Sequence, residues 1–233
     1  IIPTGSELVK PSTKTDAGQL VEFNSQMIGA AIERWGGKTN KLDIVPDNKE
    51  LIKEKVLDEL EKNELIIVIA GSSAGKEDYT LNILDELGEV FIHGVNIMPG
   101  KPVIMAEADN KMIIGLPGYP LSALINNYLF IREIIYKMQG LNAPEFTEKR
   151  VKVQRKIPSK TGLEEFCRVN LTEVEDELVA VPRKRGSAAM ESIIRADGLI
   201  RINENKEGLA AGEYCPAVIL KNDKEIKYFK NFI

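Results

Sequence analysis

The sequence predicts an α/β domain with a doubly wound, mostly parallel sheet, followed by a small β-rich C-terminal domain. Up to about residue 145, segments with helical spacing alternate with strand-like segments. One of these, "LIIVIA", is apolar throughout, as expected for a parallel strand that is covered on both faces. After "NAPEF" the segments become short and strand-like. We therefore expect two domains, at residues 1–145 and 146–233.

The helices and strands of the first domain can be assigned in order. "SQMIGAAIERWGG" predicts a helix that ends at Gly36, and "PDNKELIKEKVLDELEK" predicts an amphipathic helix with Asp47 at a capping position. A third helix is expected from Asp78 to Leu87, and a fourth over "LSALINNYLFIREIIYKMQ", ending at Gly140. Strands are expected at "LIIVIA", near "EVFIHGV", and on both sides of the turn "ADNK".

The second domain is expected to consist of short strands. Its strand-like segments are "RVKVQRKI", "EFCRVNLTEV", "ELVAVPR", "GLIRI" and "CPAVIL". Turn residues separate them, as in a small β-rich domain.

Composition and charge exclude several functional classes. A net charge of −4 gives no overall basic field for nucleic acid or an anionic membrane. Two cysteines form neither a metal cluster nor a disulfide framework, so we expect a reducing cytoplasm. The longest apolar runs have strand length. The chain opens with Ile1, apparently within a strand, and we expect it to be a fragment of a longer protein.

The stretch "GSSAGKEDYT" follows the apolar strand and resembles a phosphate-binding loop only superficially. A Walker A loop has four residues between its glycines and a Ser or Thr after its lysine. Here three residues separate Gly71 from Gly75, and Lys76 precedes the acids Glu77 and Asp78. The stretch instead predicts a small-residue turn with exposed N–H groups and an acid at a helix start. This suits a polar ligand that brings a metal ion.

Polar segments follow several predicted strands of the first domain. They are "PTGSE", "EFN", "PD", "GSSAGKED", "PGKP" and "GLPGYPLSA". Each has a structural explanation: Asp47 and Asp78 can cap helices, and the prolines can stiffen loops. Their joint occurrence favours a ligand site, because ligands of such sheets bind outside the carboxyl ends of the strands.

In this order, the motifs resemble the molybdopterin-binding domain of the molybdopterin molybdenumtransferases, the MoeA type that includes the E domain of gephyrin. "EEFCRVNL", "GSAAMESIIRADGLIRI" and "EGLAAGEYCPAVIL" resemble the C-terminal β domain of the same family. The resemblance covers nearly the whole chain. Single-domain adenylyltransferases and nicotinamide-nucleotide amidases share only the first half.

The resemblance implies insertion of molybdate into adenylylated molybdopterin, with release of AMP. It implies a divalent metal, Mg²⁺ or another cation, held by carboxylates, which are the ligands that hard cations prefer. The acidic positions that match the family are Glu7, Glu22, Asp47 and Asp78, with Asp78, Asp47 and Glu22 as catalytic candidates. The positions that match its molybdopterin site are Thr4, Gly5, Asn24, Gly71, Ser72, Ser73, Gly75, Pro117, Gly118 and Pro120.

Molybdate, an oxyanion, requires cations and N–H or O–H donors. The resemblance assigns it to Lys101, Pro102 and Ser122 of the first domain and to Arg168, Ser187 and Ser192 of the second.

Several residues depart from the family pattern. Ser6, Ser72 and Tyr119 replace the usual residues of their motifs, and Met98 stands where many members carry a lysine. The missing cation leaves tungstate as an alternative substrate.

The family also carries two N-terminal domains that complete the site of the partner in a homodimer. Because this chain includes neither, we expect poor turnover by the chain alone. A non-catalytic scaffold or sensor that binds molybdopterin or the oxyanion is the alternative.

Overall fold

The computed structural model describes residues 1–70, 79–183 and 193–220. They form two compact units. Unit 1 combines Ile1–Val95 with Gly100–Ala143, and unit 2 combines Asn96–Pro99 with the described residues from Pro144 onward. The sequence did not predict that segment 96–99 belongs with the second unit. In the part of the chain that the structure describes, no helix is both long and apolar enough to cross a membrane.

The elements follow in chain order. Up to residue 143 they are β1 (Ile2–Pro3), β2 (Leu8–Val9), β3 (Leu20–Val21), α1 (Asn24–Arg34), α2 (Lys49–Leu60), β4 (Leu65–Ala70), α3 (Tyr79–Leu87), β5 (Glu89–His93), β6 (Ile97–Met98), β7 (Ile104–Ala108), β8 (Lys111–Pro117), α4 (Pro120–Asn126) and α5 (Arg132–Met138). A π-helical turn, Asn127–Ile131, joins α4 to α5. The later strands are β9 (Glu148–Val153), β10 (Ile157–Pro158), β11 (Glu164–Val174), β12 (Glu177–Pro182), β13 (Gly198–Ile202), β14 (Gly208–Leu209) and β15 (Tyr214–Ile219).

The main sheet of unit 1 has the strand order β1-β4-β8-β7-β5. Strands β1, β4 and β8 are parallel, whereas β7 is antiparallel to both β8 and β5. Four of the five strands therefore point the same way, which confirms the mostly parallel sheet. The exception has a local cause: β7 and β8 are joined by Asp109 and Asn110, whose φ angles of 51° and 58° suit a tight hairpin turn.

The two faces of this sheet carry different helices, which confirms the doubly wound arrangement. On one face, Ile66 and Val68 of β4 belong to a core with residues of α2 and α3. On the other, Ile67 and Ile69 belong to a core with residues of α1, α4 and α5. Because successive side chains of a strand point to opposite faces, this explains why "LIIVIA" is apolar throughout.

The ends of the first two helices follow from single residues. Helix α1 ends at Arg34, and Gly36 then adopts a φ of +91°, a conformation that favours glycine. Helix α2 is capped by Asn48, whose side chain accepts a hydrogen bond from the Leu51 N–H at 3.0 Å. The expectation that Asp47 occupies the capping position is therefore wrong by one residue.

The main sheet of unit 2 closes on itself. Its strand order is β12-β9-β15-β13-β11-β6, and an additional pairing joins β12 to β11. Strand β11 is long enough to pair with β13 through residues 165–169 and with β12 through residues 169–174. Its interior holds an apolar cluster that includes Val151, Val169 and Ile200. This confirms the β-rich C-terminal domain.

Candidate functional site

The carboxyl ends of β1, β4 and β8 lie side by side in unit 1. Pro3 pairs with Ile69, and Ala70 pairs with Pro117. Thr4, which follows β1, is 2% exposed, and both its N–H and its hydroxyl donate to the Ile69 carbonyl, at 2.9 and 3.1 Å. Three polar segments that the sequence assigned to a ligand site therefore begin at this one edge of the sheet.

Gly5 occupies a position that another residue would strain. Its φ is +153°, and an added Cβ would lie 2.8 Å from Leu8 Cγ and 3.0 Å from Glu7 Oε2. Its N–H donates to the Val45 carbonyl at 3.0 Å. The glycine therefore allows the chain to turn tightly past the end of β1, beside the half-buried Glu7.

Ser6 and Asp47 hold each other in place. The Ser6 N–H donates to Asp47 Oδ2, and the Asp47 N–H donates to Ser6 Oγ, both at 3.0 Å. Since the cap of α2 is Asn48, the Asp47 carboxylate lies with Ser6 beyond the end of β1 rather than on the helix terminus. The serine in "TGSE" thus has a defined partner.

Glu22 is buried at the start of α1 and engaged by Ser25. Its two carboxylate oxygens accept hydrogen bonds from the Ser25 N–H at 2.8 Å and the Ser25 hydroxyl at 2.6 Å. A carboxylate is favourable here because the first N–H groups of a helix have no partner within the helix. This contact gives Glu22 a structural role whether or not it also binds metal.

Asn24 connects α1 to the loop after β8. Its Nδ2 donates to the Gly118 carbonyl at 2.7 Å. Its Oδ1 is buried and has no partner among the described residues. An unpaired buried acceptor costs about 1 to 3 kcal/mol, so it is a suitable position for a ligand N–H donor.

A second buried asparagine anchors the loop that carries Lys101. Asn126 Nδ2 donates to the carbonyls of Gly100 and Ser122, both at 3.0 Å. Lys101 and Pro102 are exposed just before β7. Because Ile104 of β7 pairs with Gly115 of β8, this loop lies at the same edge as the end of β8.

In unit 2, Arg168 lies on β11 and is 6% exposed. Burial lowers its pKa below the ordinary arginine value; Cys167 acts in the opposite direction, and the charge of Arg183 lowers the pKa further. Arg183 follows β12, and its N–H donates to the Arg168 carbonyl at 3.0 Å.

Other predicted site residues lie outside the described residues: Gly71, Ser72, Ser73, Gly75, Asp78, Ser187 and Ser192. In the ranges that the structure does describe, no group of three or more His, Cys, Asp or Glu side chains could hold a metal ion. Those residues therefore do not fit a divalent cation without a further ligand.

A cavity of about 320 Å³ lies elsewhere in unit 1. Its lining includes Glu64 and Leu65 at the amino end of β4, together with Lys38, Asn63 and Gln139. It therefore lies at the opposite end of the parallel strands from the polar edge, and we do not assign the predicted ligand to it.

The sequence did not predict four residues that contact candidate site residues or the segments that carry them: Ser25, Asn126, Asn170 and Arg183. Ser25 lies only three positions from Glu22, but the order of the two residues is the reverse of a capping box, so no standard capping signal marks this contact. The other three act through contacts with residues 13 or more positions away, such as Asn126 with Gly100 and Arg183 with Asn170, which no local pattern reveals.

Fold and site together define a two-domain protein in which an α/β domain with a polar ligand edge is joined to a β-barrel domain. Residues 1–137 match a family model described as "Probable molybdopterin binding domain". Residues 150–220 match the MoeA C-terminal region, domain IV. The chain belongs to the molybdopterin-binding domain family, in the form that carries a MoeA C-terminal region.

Named relatives agree with this assignment. The chain is 30% identical to the molybdenum cofactor synthesis protein cinnamon of Drosophila melanogaster, over 98% of this chain and 39% of the relative. It is 25% identical to a molybdopterin molybdenumtransferase of Haemophilus influenzae, over 91% of this chain and 54% of the relative. The chain thus spans about half the length of the Haemophilus influenzae protein and 39% of the Drosophila protein.

A solved structure supports the fold. The crystal structure of a molybdopterin biosynthesis MoeA protein from Pyrococcus horikoshii superposes with a TM-score of 0.80 at 31% identity. The match covers 95% of this chain and 54% of that one.

Proposed function

We propose that this chain supplies the pterin-binding and oxyanion-binding parts of a molybdopterin molybdenumtransferase. The whole protein would insert molybdate into adenylylated molybdopterin and release AMP. The observation that supports the proposal is the polar edge of unit 1 in a chain of the molybdopterin-binding family: Thr4 follows β1 there, and Asn24 contacts Gly118, which follows β8.

The substrate would contact this edge mainly through neutral groups. A pterin ring carries amino and ring N–H donors, and the unpartnered Oδ1 of Asn24 offers a buried acceptor for one of them. The small residues Gly71, Ser72, Ser73 and Gly75 would present N–H groups to the phosphate. Pro117, Gly118 and Pro120 would form the adjoining wall, since Pro117 pairs with Ala70.

The acidic residues would have two different roles, metal binding and fixing the start of α1. We assign Asp47 and Asp78 to a divalent cation such as Mg²⁺, with Glu7 close to the same turn. Both oxygens of Glu22 accept hydrogen bonds from Ser25, so its first contribution is to fix the start of α1 and thereby Asn24. The cation would supply Lewis acidity at the pyrophosphate.

Molybdate would bind to Lys101, Pro102 and Ser122 and to Arg168, Ser187 and Ser192. The anchored Gly100 carbonyl supports the loop position of Lys101, and the buried charge of Arg168 supports its role with an anion. Tungstate remains the alternative substrate, and the active parent would be a cytoplasmic homodimer.

The first test is a titration of the purified chain with molybdopterin, followed by pterin fluorescence. Asn24→Ala should weaken pterin binding by about tenfold, because it removes the buried acceptor and releases Gly118. Asn40→Ala is the matched control, since Asn40 contacts Glu59 and lines the cavity away from this edge. Absence of pterin binding by the unmodified chain would refute the proposal, and equal loss in both variants would remove Asn24 from the site.

The second test separates the two acids that end the small-residue stretch. In the full-length protein, Asp78→Asn should abolish metal-dependent AMP release while retaining pterin binding, because it removes the charge that a cation requires. Glu77→Gln should lose little. Normal turnover by folded Asp78→Asn would exclude Asp78 as a metal ligand. Pterin binding without AMP release by the unmodified full-length protein would favour a scaffold or sensor.

A further inference from the structure

Arg168 and Arg183 lie opposite each other across two paired strands of unit 2. Val169 of β11 pairs with Pro182 of β12, and the ladder continues with the 3.0 Å hydrogen bond from the Arg183 N–H to the Arg168 carbonyl. Directly opposed residues in an antiparallel pair project to the same face of the sheet. Since Val169 belongs to the barrel core, its neighbour Arg168 projects away from that core, and Arg183 projects with it.

A chain of side chains orients Arg183. Its Nη1 donates to Asn170 Oδ1. Asn170 Nδ2 in turn donates to Asp197 Oδ2 at 2.9 Å and to the Arg195 carbonyl at 2.5 Å. Asp197 is 4% exposed and also accepts a hydrogen bond from the Leu171 N–H at 3.0 Å. The guanidinium of Arg183 is therefore held through Asn170 by a buried carboxylate.

This arrangement brings two like charges together. Opposed like charges in a sheet are destabilising, and burial increases the cost. In addition, Arg183 Nε is buried without a partner among the described residues. An anion that accepts from both guanidiniums would relieve the repulsion and use the forked donors that arginine presents to oxyanions.

We propose that Arg183 is a second guanidinium of the oxyanion site, positioned opposite Arg168 by Asn170 and Asp197, and that this pair selects tetrahedral dianions over monoanions of the same shape. The proposal rests on the proposed function for the identity of the natural anion, molybdate or tungstate. It adds the basis of selection: two fixed positive charges match two negative charges.

Calorimetric titration of the chain with tungstate and perrhenate tests this selection. Both anions are tetrahedral and of similar size, but tungstate carries two charges and perrhenate one. The unmodified chain should prefer tungstate. Arg183→Met should weaken tungstate binding by about tenfold or more and perrhenate binding much less, because the lost guanidinium charge attracts a dianion more strongly than a monoanion. Arg183→Lys should retain most of the preference, since it keeps the charge without the fork.

Two further variants complete the design. Asn170→Ala should reduce the preference for tungstate by about threefold, because Arg183 loses its orienting partner. Arg201→Met is the matched control: Arg201 lies on neighbouring β13, its side chain is 65% exposed, and it pairs with Glu164. If Arg183→Met fails to fold, Arg183→Lys and Asn170→Ala still report on the preference.

The inference is overturned if the unmodified chain does not prefer tungstate, if Arg183→Met behaves like Arg201→Met, or if Arg183→Met weakens both anions equally. The pterin titration is independent of these results. Pterin binding without a dianion preference would leave the proposed function standing and refute the role of Arg183. A dianion preference without pterin binding would refute the proposed function and leave the role of Arg183 as an oxyanion ligand standing.

Discussion

The two units present different chemistry at their candidate sites. At the sheet edge of unit 1, the described contacts of Thr4, Asn24 and Asn126 are neutral hydrogen bonds to backbone carbonyls. In unit 2, the candidate groups are guanidiniums on or beside strands, with Arg168 buried and its pKa lowered chiefly by that burial. The first arrangement suits a flat heterocycle with N–H donors, and the second suits a compact anion.

The difference shows how each unit tolerates polar groups in its interior. A buried amide that lacks one partner costs a few kcal/mol at most, whereas a buried charge requires an opposite charge or strong hydrogen bonds. In unit 1, the Asn24 oxygen, which has no partner among the described residues, carries a cost of this smaller size. In unit 2, Asn170, which contacts the buried Asp197, accepts a hydrogen bond from the guanidinium of Arg183.

The largest expected effect concerns Arg168. Arg168→Ala should weaken molybdate binding by about 1.5 to 3 kcal/mol, roughly 10- to 150-fold, because it removes a charge-assisted hydrogen bond. Pterin affinity should change little, because Arg168 is assigned to the oxyanion and not to the pterin. Calorimetry with molybdate and fluorescence with molybdopterin measure the two affinities, and Arg201→Ala provides a control. A similar loss of both affinities would mean that Arg168 is structural.

A smaller effect is expected at Asn127, a buried amide in the π-helical turn of unit 1. Asn127 is fully buried, and neither of its amide atoms has a partner among the described residues. It lies between Ala123 and Ile131, which both belong to the core against the sheet. Asn127→Leu should therefore raise the free energy of unfolding by about 1 kcal/mol, measured by urea denaturation. Destabilisation would instead indicate a buried water or another partner for this amide.

The smallest effect is a pH dependence at the surface of unit 1. Hydrogen bonds from Lys49 and Lys53 lower the pKa of Glu86 to about 2. Because the folded-state pKa is below the unfolded value of 4.5, the stabilisation is present above pH 4.5 and is lost as the pH falls towards 2. These groups are exposed and screened by water, so Glu86→Gln should change the thermal midpoint by about 1 °C or less.

That change should appear at neutral pH and vanish near pH 2. Thermal scans at both pH values and at two salt concentrations measure it. If the difference in thermal midpoint grew as the pH fell, the stabilising contacts of Glu86 with Lys49 and Lys53 would be contradicted.

The sequence predicted those parts of the fold that depend on local patterns. The apolar run "LIIVIA" indicated a strand covered on both faces, and "ADNK" indicated the turn that Asp109 and Asn110 form with positive φ. Strand β6 was not predicted, because its two residues pair with β11 more than sixty positions later and carry no strand signal of their own. Local patterns therefore identify elements but not the partners of short strands.

In the candidate site, too, local motifs predicted some residues, whereas others depend on pairing between distant strands. The strand-end motifs predicted polar residues at one edge of the sheet; Thr4 follows β1 and Gly118 follows β8 there, and Asn24 contacts Gly118. Their role in ligand binding stays a prediction. The resemblance supplied Arg168 but not Arg183, whose importance depends on the pairing of β11 with β12 and on its contact with Asn170. The roles of residues 71–78, Ser187 and Ser192 stay predictions.

One measurement tests the central claim, that Asn24 recognises the pterin and Arg168 recognises the oxyanion independently of each other. Molybdopterin and tungstate affinities are measured in four proteins: the unmodified chain, Asn24→Ala, Arg168→Ala and the double variant. We predict that Asn24→Ala weakens only the pterin, that Arg168→Ala weakens only tungstate, and that the double variant combines the two losses. A single variant that weakens both ligands to the same extent, with its thermal midpoint unchanged, would contradict the claim.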